Sequence, residues 1–242
     1  MYTNGYNLKI DGDFGGFRWR NSYFSSTEIN FKHPSEHHID GREYPLEMQL
    51  HHVDQWGNQA FVAAFFEISS EGSFLNNIGF GNPLLKEAEV GTLYRIKDPV
   101  DINELFEEPE TYFLYEGSTT STPCHHNVTW VMLTDTFKIS ESQVENFPLE
   151  LIDKHRDIQP KNDRTVYCNF NLNEAEEEVK KEEAAGEDDI EQHRSQVQST
   201  ATGRSYKPVN DDFIVEEPGK YQDIYPEGET PYNPEPKSFL QF

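Results

Sequence analysis

The chain has 242 residues, of which 44 are Asp or Glu and 20 are Lys or Arg, so its formal net charge at pH 7 is −24. A negative charge of this size repels nucleic-acid phosphates and anionic lipid head groups, so we expect no partner of either kind. Two cysteines are too few for a disulfide framework, and no run of 18 apolar residues predicts a membrane span. The first ten residues lack the features of a secretory signal, which predicts an intracellular protein.

Residues 1–172 contain short runs in which apolar and polar side chains alternate, a pattern typical of β-strands. The runs, each interpreted as one strand, are YNLKI, FRWRNSYF, EINFKH, YPLEMQLHHV, AFVAAFFEI, TYFLYEG and VTWVMLTDTFKI. Two short helices are predicted between them, over residues 101–106 and 140–147, and Ser140 is the expected N-cap of the second. The pattern predicts a mostly β (α+β) domain with a few short surface helices.

Residues 173–242 have a different composition, first highly charged and then rich in proline, with single aromatic residues scattered along the chain. Composition alone favours a tail that is disordered when it is free. The alternative is an extended segment that lies along a partner protein and anchors itself through spaced aromatic side chains. The candidate anchors are Phe213, Tyr221, Tyr225, Tyr232, Phe239 and Phe242.

Five of the nine histidines lie in residues 29–52, INFKHPSEHHIDGREYPLEMQLHH, where a turn at Asp40-Gly41 is predicted to join two strands. Together with YEGSTTSTPCHHNVTWVML at 115–133, and with ISESQVENF and NDRTVYCNFN further on, this stretch resembles the α-class carbonic anhydrases. The resemblance covers roughly residues 3–172 and implies a central twisted mixed sheet. It also implies that the N-terminal part of the family fold is missing from this sequence, and that this part is either supplied by another chain or belongs to a longer product of which this is a fragment.

Enzymes of that family hold one Zn²⁺ with three histidines, and the metal activates a bound water. The resemblance places the first two ligand positions at Asn30 and Lys32 and the third at Gln49. Amide oxygens are weak zinc ligands, and a protonated lysine has no lone pair to give. We therefore expect no bound metal, no cofactor and no catalysis by the family mechanism.

The resemblance also assigns further positions of the pocket. Tyr6 stands in place of the proton-shuttling histidine, and Glu36 and Thr120 match the pair that orients the zinc-bound hydroxide. Glu47 matches the acceptor that orients the third ligand. The remaining pocket positions are Thr119, Ser121 and His51, whereas His52 is expected to face away from the pocket.

Without a metal ion, Glu36 and Glu47 would be buried carboxylates lacking a compensating charge. One hypothesis is that Lys32 pairs with one of them, and the alternative is that Lys32 extends to the pocket mouth.

These residues predict a non-catalytic subunit of a larger protein assembly, which binds other subunits. The alternatives are a small-molecule or anion sensor, with Lys32 as its anchor, and an enzyme with a rebuilt metal site. The cytoplasm, a cilium and a mitochondrial complex are all compatible locations.

Overall fold

The computed structural model describes residues 1–70, 72–96, 99–105, 111–152 and 154–170, together with the backbone of 207–208 and 214–216. Eleven strands form one mixed sheet within these residues. The strands are β1 (Tyr2–Thr3), β2 (Leu8–Asp11), β3 (Gly16–Trp19), β4 (Ser22–Lys32), β5 (Leu46–Asp54), β6 (Gln59–Ile68), β7 (Tyr112–Ser118), β8 (His126–Ile139), β9 (Val166–Cys168), β10 (Lys207–Pro208) and β11 (Ile214–Glu216).

The main path through this twisted sheet runs β1-β2-β4-β5-β6-β8-β7-β9-β10. The pairs β6–β8 and β9–β10 are parallel, and the other pairs are antiparallel. The long strand β4 pairs with β2 along its second half and with β3 along its first half, and β11 adds to the far side of β3. The sequence prediction of a mostly β domain with a mixed sheet is confirmed.

The central strands are buried on both faces over residues 29–32 of β4 and 46–50 of β5, because each face is covered there by other parts of the chain. On one face, Phe31 meets the ring of Phe80 at a centroid distance of 5.1 Å, and Phe80 in turn meets Phe147 at 6.5 Å. Successive side chains of a strand point to opposite faces, so the neighbours of Phe31 in sequence lie on the other face. That second face carries the candidate site.

The α-helices are short. They are α1 (Ser73–Ile78) and α2 (Glu141–Glu145), and three 3₁₀ helices cover Pro83–Glu87, Ile102–Leu105 and Leu149–Leu151. The Ser140 side chain accepts a hydrogen bond from Gln143 N, and the Gln143 side chain reaches back to the Ser140 backbone. This capping box confirms Ser140 as the N-cap of α2.

Of two local predictions, one was wrong and the other was right only in part. The run FRWRNSYF is two strands joined by a tight turn, because Arg20 adopts a positive φ of 53° and reverses the chain. Asp40 and Gly41 do form a tight turn, with positive φ values of 55° and 80° and a bridge between Ile39 and Arg42. The turn does not join the two strands directly, because β4 ends at Lys32 and β5 begins at Leu46.

Of the predicted tail, residues 173–242, only the backbone of β10 and β11 is described. All six candidate anchor residues lie outside the described residues. Within the part of the chain that the structure describes, no helix is both long enough and apolar enough to cross a membrane.

Candidate functional site

The site lies on the second face of β4 and β5, where polar side chains take the buried positions. Asn30 lies directly opposite Gln49, and Lys32 lies directly opposite Glu47. Directly opposed residues of an antiparallel pair share one face, so these four side chains form one cluster. All four residues are buried. Residues 33–45 then fold back over the cluster and bring two further polar side chains against it.

Lys32 forms an ion pair with Glu36, whose carboxylate is one of those two groups. Lys32 Nζ lies 2.9 Å from Glu36 Oε1, and the two side chains are only 6% and 1% exposed. The same oxygen accepts a hydrogen bond from Arg156 N at 3.0 Å, and Oε2 accepts one from Gln49 Nε2 at 2.8 Å. The hypothesis that Lys32 pairs with a buried carboxylate is therefore confirmed, and an extended Lys32 at the pocket mouth is excluded.

Glu47 has a different partner, the imidazole ring of His37. His37 Nδ1 lies 2.7 Å from Glu47 Oε1, which also accepts a hydrogen bond from Gln49 Nε2 at 2.8 Å. Glu47 Oε2 accepts hydrogen bonds from the backbone N–H groups of Glu36 and His37, at 2.8 and 2.9 Å. Gln49 thus joins the two ion pairs through its single amide group. We call Lys32, Glu36, His37, Glu47 and Gln49 the charged network.

The two members of the His37–Glu47 pair titrate away from their ordinary values. Burial opposes protonation of His37, but the charge of Glu47 and its hydrogen bond outweigh burial, so the pKa of His37 is raised. Burial likewise opposes ionisation of Glu47, and the charge of His37 together with the donated hydrogen bonds lowers its pKa. Each member of the pair therefore favours the charged form of the other.

A column of rings closes the wall of the site beside the charged network. His37 Nε2 lies 2.8 Å from the hydroxyl of Tyr115, whose pKa burial raises, so the phenol stays protonated. The His37 ring meets Trp130 edge-on at 4.6 Å, and Trp130 stacks on Phe61 at 4.6 Å. Phe61 stacks on His51 at 4.5 Å. These side chains fill the space beside the network with packed rings.

Two neighbouring histidines lie on opposite faces, as the alternation predicts. His51 lies on the face of the site, where Nδ1 contacts the Thr27 hydroxyl at 2.9 Å and Nε2 contacts Gln59 Oε1 at 3.2 Å. His52 is buried on the apolar face, with Nδ1 3.0 Å from Leu50 O and its ring edge-on to Phe17. Burial lowers the pKa of His52 to about 3, so its ring is neutral.

The remaining predicted pocket residues are less tightly connected to this cluster. Tyr6 is 71% exposed. Thr119 accepts a hydrogen bond from His125 N and donates one to Ser121 O, so its hydroxyl holds its own loop together. In the described residues no hydrogen bond joins Thr120 to Glu36, because Lys32, Gln49 and Arg156 are the donors to that carboxylate.

Sequence reasoning missed two residues of the site, His37 and Arg156. The strand pattern could not find them, since both lie on irregular segments that fold back onto the sheet. A signal did exist for His37. Two buried carboxylates were expected, and Lys32 can neutralise only one of them, so a second cationic side chain was needed nearby.

The metal-binding capacity of the cluster follows from its donor atoms. In the described ranges, no group of three or more His, Cys, Asp or Glu side chains is arranged to hold a metal ion. Asn30, Lys32 and Gln49 offer two amides and an ammonium, and the ammonium already neutralises the nearest carboxylate.

Comparisons with protein-family models, with curated proteins and with solved structures all give carbonic anhydrases as relatives. A family model described as eukaryotic-type carbonic anhydrase matches residues 17–170. The carbonic anhydrase of Nostoc sp. is 28% identical over 168 residues, which cover 69% of this chain and 62% of that protein. The chain covers between 57% and 64% of the length of four such curated relatives.

Two solved structures share the fold. An alpha-carbonic anhydrase from Thermovibrio ammonificans, in complex with the inhibitor sulfanilamide, superposes with a TM-score of 0.61 at 28% identity, covering 68% of this chain and 72% of that one. Dioscorin complexed with ascorbate superposes with a TM-score of 0.60 at 25% identity, covering 69% and 72%.

Proposed function

The chain belongs to the eukaryotic-type carbonic anhydrase family, and as a member with these pocket residues we propose that it is a non-catalytic protein acting as a structural and interaction subunit of a larger assembly. The observation that carries the non-catalytic part is the ion pair between Lys32 and Glu36, 2.9 Å long and buried. It places a cation at the position that the motif resemblance assigns to the second zinc ligand.

Zinc does not fit the residues at this place. Structural and catalytic zinc sites use thiolate, imidazole or carboxylate ligands, with at least three from the protein. Asn30, Lys32 and Gln49 supply none of these, and the Lys32 ammonium would repel a divalent cation. Without a metal ion, Glu36 and Glu47 need another source of positive charge. Lys32 pairs with Glu36, and His37 pairs with Glu47.

The test is the metal content of the purified chain by elemental mass spectrometry, alongside a CO₂ hydration assay. We expect no stoichiometric zinc and no activity. The matched control is the triple variant Asn30→His/Lys32→His/Gln49→His, which offers three imidazoles from the same two strands and should bind zinc. One zinc per wild-type chain, together with activity, would overturn the proposal.

The interaction part of the proposal is supported by exposed apolar side chains around β1. Val90 lies beside Gly5, where an added Cβ would come 3.3 Å from Val90 Cγ2, and Leu93 bridges to Tyr2 of β1. Tyr94 binds the carbonyl of Leu84, which brings that residue to the same region. Large exposed apolar side chains grouped in this way are typical of protein contact surfaces. We call Tyr6, Leu84, Val90 and Leu93 the β1 patch.

The β1 patch is tested by cross-linking and co-purification of the full chain from its native source. We expect Leu93→Glu to remove the partner proteins that wild type retains, because a carboxylate is costly to bury in an apolar contact. Leu149→Glu makes the same change at an exposed leucine outside the patch and should leave the complex intact. Equal recovery of partners by both variants would contradict the assignment.

A second candidate function, binding of a polar small molecule in the pocket, is favoured by one observation. Among the residues that the structure describes, none donates a hydrogen bond to the buried Asn30 Oδ1, while its Nδ2 donates to Glu28. A buried unpaired acceptor is destabilising and would be satisfied by a ligand hydroxyl or amine. Ascorbate, seen with the related dioscorin, is a suitable probe. If ascorbate raises the melting temperature of wild type but not that of Asn30→Ala, this candidate is supported. An equal ascorbate-induced shift in the two proteins would contradict it.

A further inference from the structure

The outer edge of β3 pairs with an extended segment of the same chain, β11. Ile214, Val215 and Glu216 pair antiparallel with Arg18, Phe17 and Gly16. The other side of β3 pairs with β4. Without β11, β3 would present a row of unpaired backbone N–H and C=O groups, which is a template for strand addition.

The β3–β4 hairpin differs in charge from the rest of this acidic chain. Residues 16–25 contain two arginines and no acid, whereas the whole chain has a net charge of −24. Arg18 lies over the ring of Tyr23 at 5.8 Å, and Arg20 lies over Trp19 at 5.5 Å. Cations held over aromatic rings keep a fixed position, so the positive charge stays beside the β3 edge. The hairpin therefore favours an acidic segment.

A rigid turn brings a further aromatic ring to the same end of the sheet. Phe24 of β4 pairs with Phe17 on one side and with Asp54 on the other, so the β3–β4 and β5–β6 turns project from the same end. The Asp54 carboxylate fixes the second turn by accepting hydrogen bonds from Trp56 N and Asn58 N at 2.9 and 2.8 Å. Trp56 is nevertheless 64% exposed. An exposed tryptophan on a preorganised turn is typical of a contact hot spot.

The segment that forms β11 has the composition that such an edge selects. Its sequence from 211 is DDFIVEE, a β-branched pair with two acids on either side. β-Branched residues favour the strand conformation, and the acids near them in sequence have the charge opposite to that of the two hairpin arginines. The seated segment therefore shows the chemistry of the ligand that the edge accepts.

We infer that the β3 edge is a docking site for an extended segment of a partner protein, in which a β-branched pair is flanked by acidic residues, and that residues 214–216 occupy this site when the partner is absent. The inference rests on the proposed role as an interaction subunit and names the partner's chemistry. The partner strand displaces β11 and takes its register against Gly16–Trp19. Binding of this kind gives affinity through the backbone and selectivity through Arg18 and Arg20.

The test uses the full chain carrying Val215→Pro, because proline removes a backbone donor and disfavours strand pairing at β11. The probe is a fluorescent peptide with the sequence of residues 210–218, followed by anisotropy. We expect the variant to bind the peptide at least tenfold more tightly than wild type, in which β11 competes for the same edge. Amide hydrogen exchange of residues 16–19 should be faster in the variant and slow again when the peptide is added.

Charge variants separate the hairpin from general electrostatics. In the Val215→Pro background, Arg18→Glu/Arg20→Glu should weaken peptide binding at least tenfold. Lys154→Glu/Lys161→Glu makes the same charge change at exposed positions away from β3 and should change binding less than twofold. Equal weakening by both pairs would overturn the inference.

Two further outcomes would also overturn it. One is a folded Val215→Pro chain that fails to bind the peptide and shows unchanged exchange at residues 16–19. The other is a wild-type chain that is dimeric and becomes monomeric in Val215→Pro, which would mean that the occupant is the tail of a second copy. Neither result bears on zinc content or CO₂ hydration, because Val215 lies outside the pocket, so the non-catalytic proposal is tested separately.

Discussion

At the centre of strands β4 and β5 both faces are buried, but they are built from opposite chemistry. The apolar face carries Ile29, Phe31, Met48, Leu50 and His52, and the polar face carries Asn30, Lys32, Glu47, Gln49 and His51. On the apolar face the side chains are held by shape and packing. On the polar face each charge needs a named partner, as Lys32 has in Glu36 and Glu47 has in His37. Substitutions on the two faces therefore destabilise the fold for different reasons. On the apolar face they leave cavities, and on the polar face they leave a buried charge without a partner.

The largest effect is expected on the apolar face, from Phe31→Ala. Phe31 is fully buried against Phe80, and truncation of such a ring leaves a cavity that costs about 4 kcal/mol of unfolding free energy. Urea denaturation measures this loss. Phe31→Leu fills most of the volume and should lose about 1 kcal/mol. If the two variants were equally stable, packing would not be what holds this face.

His52 makes the apolar face sensitive to acid. Its pKa is lowered to about 3 in the folded protein, whereas an unfolded histidine titrates near 6.5. As pH falls below 6.5 the unfolded chain takes up a proton that the folded chain does not, so stability falls. The loss due to this residue should reach about 3 kcal/mol at pH 4.

The matched variant for that prediction is His52→Leu, compared with wild type by urea denaturation at several pH values. Between pH 4 and 6 the stability of wild type should fall with pH more steeply than that of the variant, by about 1.4 kcal/mol per pH unit. Parallel profiles would show that His52 is protonated in the folded protein and would contradict its low pKa.

A smaller effect is expected on the polar face, from Lys32→Met. Removal of one partner from a buried pair usually costs about 3–5 kcal/mol. Glu36 keeps its hydrogen bonds from Gln49 and Arg156, so we expect about 2 kcal/mol here. Lys32→Met/Glu36→Gln removes both charges and should recover most of the loss. An unchanged stability in Lys32→Met would contradict the ion pair.

Sequence alone predicted which side chains share a face, because alternation in β4 and β5 is regular. It offered pairing of Lys32 with a buried carboxylate as one of two hypotheses, and it could not choose between Glu36 and Glu47 as the partner. The structure explains the choice. Glu47 is already saturated by His37, by Gln49 and by two backbone N–H groups. Which loop side chain folds back onto a sheet depends on tertiary contacts that no strand pattern contains.

The strand edges were harder to predict than the centre of the sheet. The hairpin in FRWRNSYF has an arginine at its positive-φ position, where turn patterns rely on Gly, Asn or Asp. The strand β11 is three residues long within a charged, proline-rich region, so its composition favoured disorder. Short edge strands depend on the strand they join more than on their own sequence.

His37 provides the smallest effect and the sharpest contrast with His52, because the two faces shift the pKa of the same residue type in opposite directions. Glu47 raises the pKa of His37 above its ordinary value, despite burial. Its contribution to stability is therefore complete below pH 6.5 and is lost as pH rises through the folded pKa. NMR titration should show the His37 ring still protonated at pH 7, when His52 is neutral. In Glu47→Gln the acceptor loses its charge, so the His37 pKa should fall below 6.5 while that of His52 stays unchanged. If His37 were neutral at pH 7 in wild type, its ring would be a plain hydrogen-bonding group, and Lys32 would be the only buried cation of the charged network.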